Sequence, residues 1–195
     1  MPKVVDDARI FSAAIDLLMA NGYDGATTKE IAVAAGINEV TLFRRYGSKA
    51  KLIERAIAAQ LADTPLNTLV HTGNLEADLL AIVEAYLETN RIHGDIIPTI
   101  LIEMTRHPDL RSFMGVPWRN LQGVIGVIQH YQRDGLLRAE PPLSTIGSLL
   151  GPVMFSAMLR RARPNPELPM PTFDAQAHVD AFLRGRVQQP ARQST

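Results

Sequence analysis

An all-α fold of about nine helices is predicted by three features of the chain. Apolar residues recur at helical spacing along most of its 195 residues. No stretch alternates apolar and polar residues as a half-buried strand would, and no internal repeat appears. Cap and break signals (Thr, Asn, Ser, Gly and Pro) punctuate the apolar runs where helices would start and stop.

Helix one is expected from about Asp7 to Ala20, with Ile10, Phe11, Ala14, Leu17 and Leu18 on one face. In the second helix Thr27 and Glu30 form a capping box, and Ile31, Ala34 and Ala35 keep helical spacing up to the breaking Gly36. Asn38 is suited to cap a third helix, Glu39 to Tyr46, which Gly47 closes, and Ser48 to cap a fourth, Lys49 to about Ala62. A link from Asp63-Thr64-Pro65 to Gly73-Asn74 leads into helix five, Leu75 to His93. Helix six follows Gly94-Asp95 and breaks at His107-Pro108-Asp109, because proline suits a helix start and not its interior. Helix seven is placed near Pro117 to Asp134 and helix eight from Pro141-Pro142 to about Arg163. Pro164, Pro166, Pro169 and Pro171 stiffen a loop before helix nine, about Phe173 to Val187, and residues 188–195 are a polar tail expected to be disordered.

Helices two and three, joined by a short turn containing Gly36, have the layout that lays a reading helix in the DNA major groove. Projected at 100° per residue, Leu42 and Tyr46 of helix three point inward. Val40 and Arg44 point the other way, flanked by Thr41 and Phe43. Arginine donates two parallel hydrogen bonds to guanine O6 and N7, and Val and the Thr methyl pack on a thymine methyl. A pair such as Arg44-Arg45 usually marks only a solvated face; the capped frame around it favours DNA.

The segments Asn21-Gly22, TTKEIAVAAGI and NEVTLFRRYGSK, followed by a long helix, resemble the TetR family of bacterial one-component regulators over about the first 60 residues. The family's usual Gly-Val-Ser turn reads Gly36-Ile37-Asn38 here, and Phe43 stands where relatives often carry Tyr, without its hydroxyl. The resemblance implies phosphate contacts at Thr28 and at Lys49 in Gly47-Ser48-Lys49. With the helix-three surface, the expected DNA-binding set is Thr28, Asn38, Val40, Thr41, Phe43, Arg44, Arg45, Ser48 and Lys49. It further implies a DNA-binding domain at residues 1–60 and an effector-binding, dimerisation domain at 61–195. The partners implied are double-stranded operator DNA, a small-molecule effector and a second copy of the chain.

Composition is that of an ordinary globular protein, 46% apolar and 21% charged. Net charge is zero, yet residues 27–55 carry six cations against three acids, a local +3 that a dimer presents twice. Cysteine is absent, and MPKVVDDARI lacks an apolar signal core, so export is not expected and a cytoplasmic location is. Leu143 to Leu159 is seventeen residues without a charge, just short of a membrane span. Its three Ser, one Thr and Pro152 favour a helix buried in protein, between its own lobe and a partner subunit, with Gly147 and Gly151 permitting close approach. The expected dimer contact, on helices eight and nine, comprises Gly147, Gly151, Phe155, Val179 and Phe182.

No catalytic, cofactor or metal site is expected. The five histidines lack a second ligand at i+3 or i+4, and no phosphate loop, nucleophile elbow or carboxylate pair is visible. Aromatic and Met side chains on helices five to eight are usually core, but the same mixture lines ligand pockets in bundles. The family resemblance implies an inducer pocket there. The candidate lining is Tyr86, Asn90, His93, Met104, Met114, Trp118, Gln122, Met154 and Phe155, with Glu103 and His130 as further polar groups. Together these features imply an effector-controlled repressor released from a pseudo-palindromic operator by a hydrophobic or aromatic molecule. An activator of the same build, or one answering to a protein partner, is the first alternative; a ligand carrier or enzyme with a vestigial DNA head is the second.

Overall fold

Nine α-helices and no β-strand make up the described residues of the computed structural model: 6–110, 115–162 and 173–186, without the side chains of 115–120, 161–162 and 186. The helices are α1 (Asp7–Gly25), α2 (Thr28–Ala35), α3 (Glu39–Tyr46), α4 (Lys49–Gln60), α5 (Leu75–His93), α6 (Ile96–Arg106), α7 (Gly115–Arg133), α8 (Pro142–Ala162) and α9 (Ala175–Arg186). A 3-10 turn spans Pro65–Thr68, and a shorter one follows α6 at 108–110. Contacts divide the chain into two units, one from Met1–Thr64 and Asp95–Arg119, the other from Pro65–Gly94 and Asn120–Thr195.

The first unit is built on α1, whose Ile10, Ala14 and Leu18 are buried against α2 and α4. Asp6 caps the helix through the Ala8 amide at 3.1 Å. The helix runs past the expected end at Ala20 because Gly22 takes φ 70° and lets the backbone kink and continue to Gly25. A Cβ on Gly22 would stand 3.2 Å from the Glu103 carboxylate, so the kink is shaped by α6. That carboxylate is buried and accepts the Tyr23 amide at 3.0 Å, which satisfies a backbone donor freed by the kink. Helix α6 thus packs on α1 through Ile96, Ile100 and Met104, all inside this core. Around Met104, Leu18 and Ile57 a void of about 10 Å³ remains, about the least that holds one water.

In the second unit α5 is the central element, packing with α8, α9 and the 3-10 turn. Leu79, Ile82, Val83 and Tyr86 of α5 are buried, as are Val124, Ile128 and Tyr131 of α7 and Leu149, Leu150 and Val153 of α8. One buried acid holds several segments together. Asp78 accepts the Thr72 amide at 2.8 Å, the Thr72 hydroxyl at 2.6 Å and the Tyr131 hydroxyl at 2.5 Å. Desolvation pushes its carboxyl up, but those three hydrogen bonds and the His71 charge outweigh it and hold the group below its ordinary range. Burial, then the bond to Asp78, pushes the Tyr131 phenol well above its ordinary value.

Helix α8 has two faces. Ile146, Leu149, Leu150, Val153 and Ala157 are buried in the unit. Leu143, Phe155, Met158 and Leu159 are exposed on the other side, Phe155 by 62%. Side chains built at Gly147 or Gly151 would meet nothing within 4 Å. Val179 and Phe182, expected at a subunit contact, are instead buried, because α9 packs on α5 and α8 of its own unit. By length and composition Pro142–Arg160 could cross a membrane, and 33% of that window is buried in the fold.

Candidate nucleic-acid interface

The frame of the interface is built locally. Thr27 and Glu30 complete the capping box of α2: the Glu30 amide donates to the Thr27 hydroxyl and the Thr27 amide to the Glu30 carboxylate, each at 3.2 Å. The Thr27 hydroxyl also donates to the Glu30 carboxylate at 2.8 Å, and this bond, followed by the one from the Thr27 amide, lowers the Glu30 carboxyl. Gly36 closes α2 in the left-handed region (φ 69°, ψ 37°), where a Cβ would also press on the Arg9 guanidinium at 3.2 Å. Asn38 then caps α3 by accepting the Val40 amide at 2.9 Å, and Ser48 caps α4 by accepting the Lys51 amide at 3.2 Å. Both residues belong to the expected DNA-binding set, and both have their side chains committed to these caps.

Helix α3 is fastened at both ends. At its start the Thr28 hydroxyl donates to Glu39 Oε1 at 2.6 Å, joining the first turns of α2 and α3. At its end Asp7 of α1 accepts the Tyr46 hydroxyl and pairs with Arg45 at 2.9 Å. The Tyr46 phenol is pushed up by burial and by that acid. Phe11 lies against the Tyr46 ring at 5.8 Å between centroids, with Leu42 fully buried beside it in the same core. What remains outward is Val40, 73% exposed, Phe43, 45% exposed, and Arg44, with Thr41 half-buried at the edge. Among the described residues Arg44 forms no ion pair.

Lys49 is placed differently from a bare surface cation. Its ammonium donates to the Tyr23 carbonyl at 2.8 Å and lies 4.0 Å above the Tyr23 ring. Two of its three N–H donors stay available to an oxygen from outside. The His107 ring also packs on Tyr23, tilted, at 4.9 Å, with Nε2 3.4 Å from Glu103 and 3.7 Å from Asp24. Burial, with the charges of Asp109 and Asp24, raises the Tyr23 phenol.

The expected effector lining divides. Tyr86 and Asn90 are buried one turn apart on α5, and Asn90 Oδ1 has no hydrogen-bond partner among the described residues. His93, on the same face of α5, is partly buried, which pulls its imidazole below the ordinary value. Met154 is half-buried, whereas Gln122 is exposed and Phe155 largely so, which does not suit an enclosed lining. Met104 belongs to the core of the first unit, since α6 packs on α1. Met114 and the Trp118 side chain lie outside the described residues. Glu103 carries the Tyr23 amide, and His130 stacks on His71 at 4.7 Å.

Sequence reasoning missed Asp7, Glu39 and Tyr23, and gave Glu103 to the effector lining when it serves the Tyr23 amide. Each acts on a residue far along the chain: Asp7 on Arg45 and Tyr46, Glu39 on Thr28, Glu103 on Tyr23. Asp7 and Glu39 each left a sequence signal, an acid in the first turn of a helix, but that signal does not name the partner.

Comparison with known proteins agrees with this geometry. The profile of bacterial regulatory proteins, tetR family, matches residues 10–56, which span α1 to α4. The uncharacterised HTH-type transcriptional regulator YvkB of Bacillus subtilis is 34% identical over 132 residues, 62% of this chain and 69% of that protein. A second HTH-type regulator, Mb1581 of Mycobacterium bovis, is 29% identical over 108 residues, 55% of this chain and 52% of its own length. The crystal structure of a TetR-family regulator from Mesorhizobium loti superposes with a TM-score of 0.62 at 20% identity, covering 93% of this chain and 96% of that one. With the capped α2–α3 frame, the outward Val40–Arg44 surface and these relatives, the chain belongs to the TetR family of bacterial helix-turn-helix transcriptional regulators and binds DNA.

Proposed function

We propose that this regulator is an effector-released repressor that works as a homodimer in the cytoplasm, each subunit laying one α3 in the major groove of a half-site. The observation that carries the reading is α3 itself, fastened at both ends while Val40, Phe43 and Arg44 face outward. Fastening matters because a base contact has value only if its donor is already held in place. Arg44 is assigned to a guanine edge, Val40 and Phe43 to apolar base contacts, and Lys49, through its two remaining N–H groups, to a phosphate. The exposed α8 stripe of Leu143, Phe155, Met158 and Leu159, with open ground at Gly147 and Gly151, supports pairing through a second copy of α8.

The effector site is assigned to the second unit, around Tyr86, Asn90 and His93 of α5. An unpartnered buried amide oxygen costs about 1–3 kcal/mol, and a ligand donor would recover that. The ligand inferred is mainly apolar or aromatic, with a hydroxyl or N–H for Asn90. It shifts the DNA-binding equilibrium only by its differential affinity for the two states, about 1–3 kcal/mol of coupling.

The test is footprinting on the DNA flanking the protein's own coding sequence, with and without a panel of apolar aromatic compounds. A two-fold symmetric footprint that one of these compounds abolishes is the expected result. A footprint that no compound weakens, or one lacking two-fold symmetry, refutes the reading.

A further inference from the structure

We infer that Glu39 is a base-reading residue, its carboxylate held by Thr28 and aimed at a cytosine N4 amino group in each half-site. Glu39 is the first residue of α3, and the N-terminal residues of a reading helix are those that meet base edges. Its carboxylate does not serve as the helix cap, because Asn38 already accepts the first-turn amide. Nor is it neutralised: among the described residues no Lys, Arg or His pairs with it. Its one partner among the described residues is the Thr28 hydroxyl, 2.6 Å from Oε1 and eleven residues away in sequence.

A carboxylate has about four acceptor positions on its two oxygens, and Thr28 occupies one. In water the rest are solvated. Inside a groove walled by phosphates they lose that water and are repelled, so the acid is tolerated only where a donor replaces the water. The major groove offers two base donors, cytosine N4 and adenine N6. Adenine N6 sits beside the N7 acceptor, which repels the second carboxylate oxygen. Guanine and thymine present acceptors at that edge. Cytosine alone gives an amino group with no acceptor beside it on its own base, and a carboxylate accepts from it directly, so the acid selects C and disfavours the other three bases. Thr28 is then a positioning residue: it fixes the carboxylate's rotamer from α2, whereas the family resemblance assigns it to a phosphate.

The inference rests on α3 being the reading helix, and the experiment separates the two. Selection from random duplexes is run with the full-length wild type, Glu39→Gln and Thr28→Val, alongside thermal melts and titration of non-specific DNA. The wild type is expected to enrich a motif with cytosine at one position per half-site, about tenfold or more over the other bases there. Glu39→Gln should move that position to adenine, whose N6 and N7 match an amide, and leave the other positions unchanged. Thr28→Val should flatten the cytosine preference several-fold without changing affinity for non-specific DNA; a phosphate contact would weaken both alike. If Glu39→Gln melts before it can be assayed, Thr28→Val alone decides. An unchanged motif with Glu39→Gln, or equal losses on specific and non-specific DNA with Thr28→Val, overturns the assignment to Glu39. A wild type that enriches no motif overturns the reading helix as well.

Discussion

Phe155 is the residue on which dimer formation should depend most. Its ring is 62% exposed, the most of any side chain in the α8 stripe. A phenylalanine buries about 150–250 Å² when fully covered, so roughly 90–150 Å² of this side chain awaits a partner. At about 25 cal/mol per Å² that is about 2–4 kcal/mol per ring, and a two-fold contact uses it twice. Ordering the side chains and imperfect fit take back part of this, so Phe155→Ala should weaken the dimer by about 4 kcal/mol, roughly a thousandfold in Kd. Because the ring is exposed, the subunit's own fold should be little affected. Gly151→Leu supplies an independent version: nothing within 4 Å opposes a side chain there, so the subunit folds while close helix approach is blocked. Sedimentation equilibrium across about 0.1–50 µM, paired with thermal melts and operator gel shifts, reads both variants. A wild type that stays monomeric at the top of that range while still binding its operator refutes the two-fold arrangement. So does a Phe155→Ala protein whose dimer constant is unchanged.

Arg44→Ala should weaken operator binding by about 1–3 kcal/mol in gel shifts while non-specific DNA is far less affected, whereas Lys49→Ala should lower both and reduce the salt slope by about one. Tyr131→Phe removes one of three hydrogen bonds to the Asp78 carboxylate and should cost about 1–3 kcal/mol in denaturant titrations at neutral pH. Since the folded Asp78 carboxyl lies below its ordinary value, its contribution is full above the unfolded value near 3.9 and is lost as pH falls through the lower folded value. The same titrations at acid pH should therefore show the Tyr131→Phe penalty shrinking. His93, lowered by burial, makes the wild type lose stability as pH falls past the ordinary imidazole value near 6.5, and His93→Gln should lose less in melts at pH 7.5 and 5. An apolar aromatic effector at a hundredfold excess over its Kd should stabilise the fold by about 2.7 kcal/mol, alter the emission of Trp118, the chain's one tryptophan, and release DNA. Those three responses to an anionic metabolite, with none to apolar compounds, would refute the effector class.

Local chemistry was legible in the amino-acid order. The Thr27–Glu30 capping box, the Gly36 stop, the Asn38 and Ser48 caps and the bounds of α3 and α5 follow from interactions that span four residues or fewer. The inward Leu42 and Tyr46 and the outward Val40 and Arg44 follow from helical periodicity alone. Periodicity shows that a helix has an apolar face; it does not say what covers that face. Val179 and Phe182 carry the same signature whether they meet α5 or a second subunit, and Met104 whether it lines a pocket or fills the core beside α1. The ties that aim the reading helix were invisible for a related reason. Thr28 meets Glu39 across eleven residues, Asp7 meets Tyr46 across thirty-nine, and Glu103 meets Tyr23 across eighty, where it also holds open the kink at Gly22. Hydrogen bonds and ion pairs act over about 3–4 Å, so such partners are decided only once packing has brought the helices together.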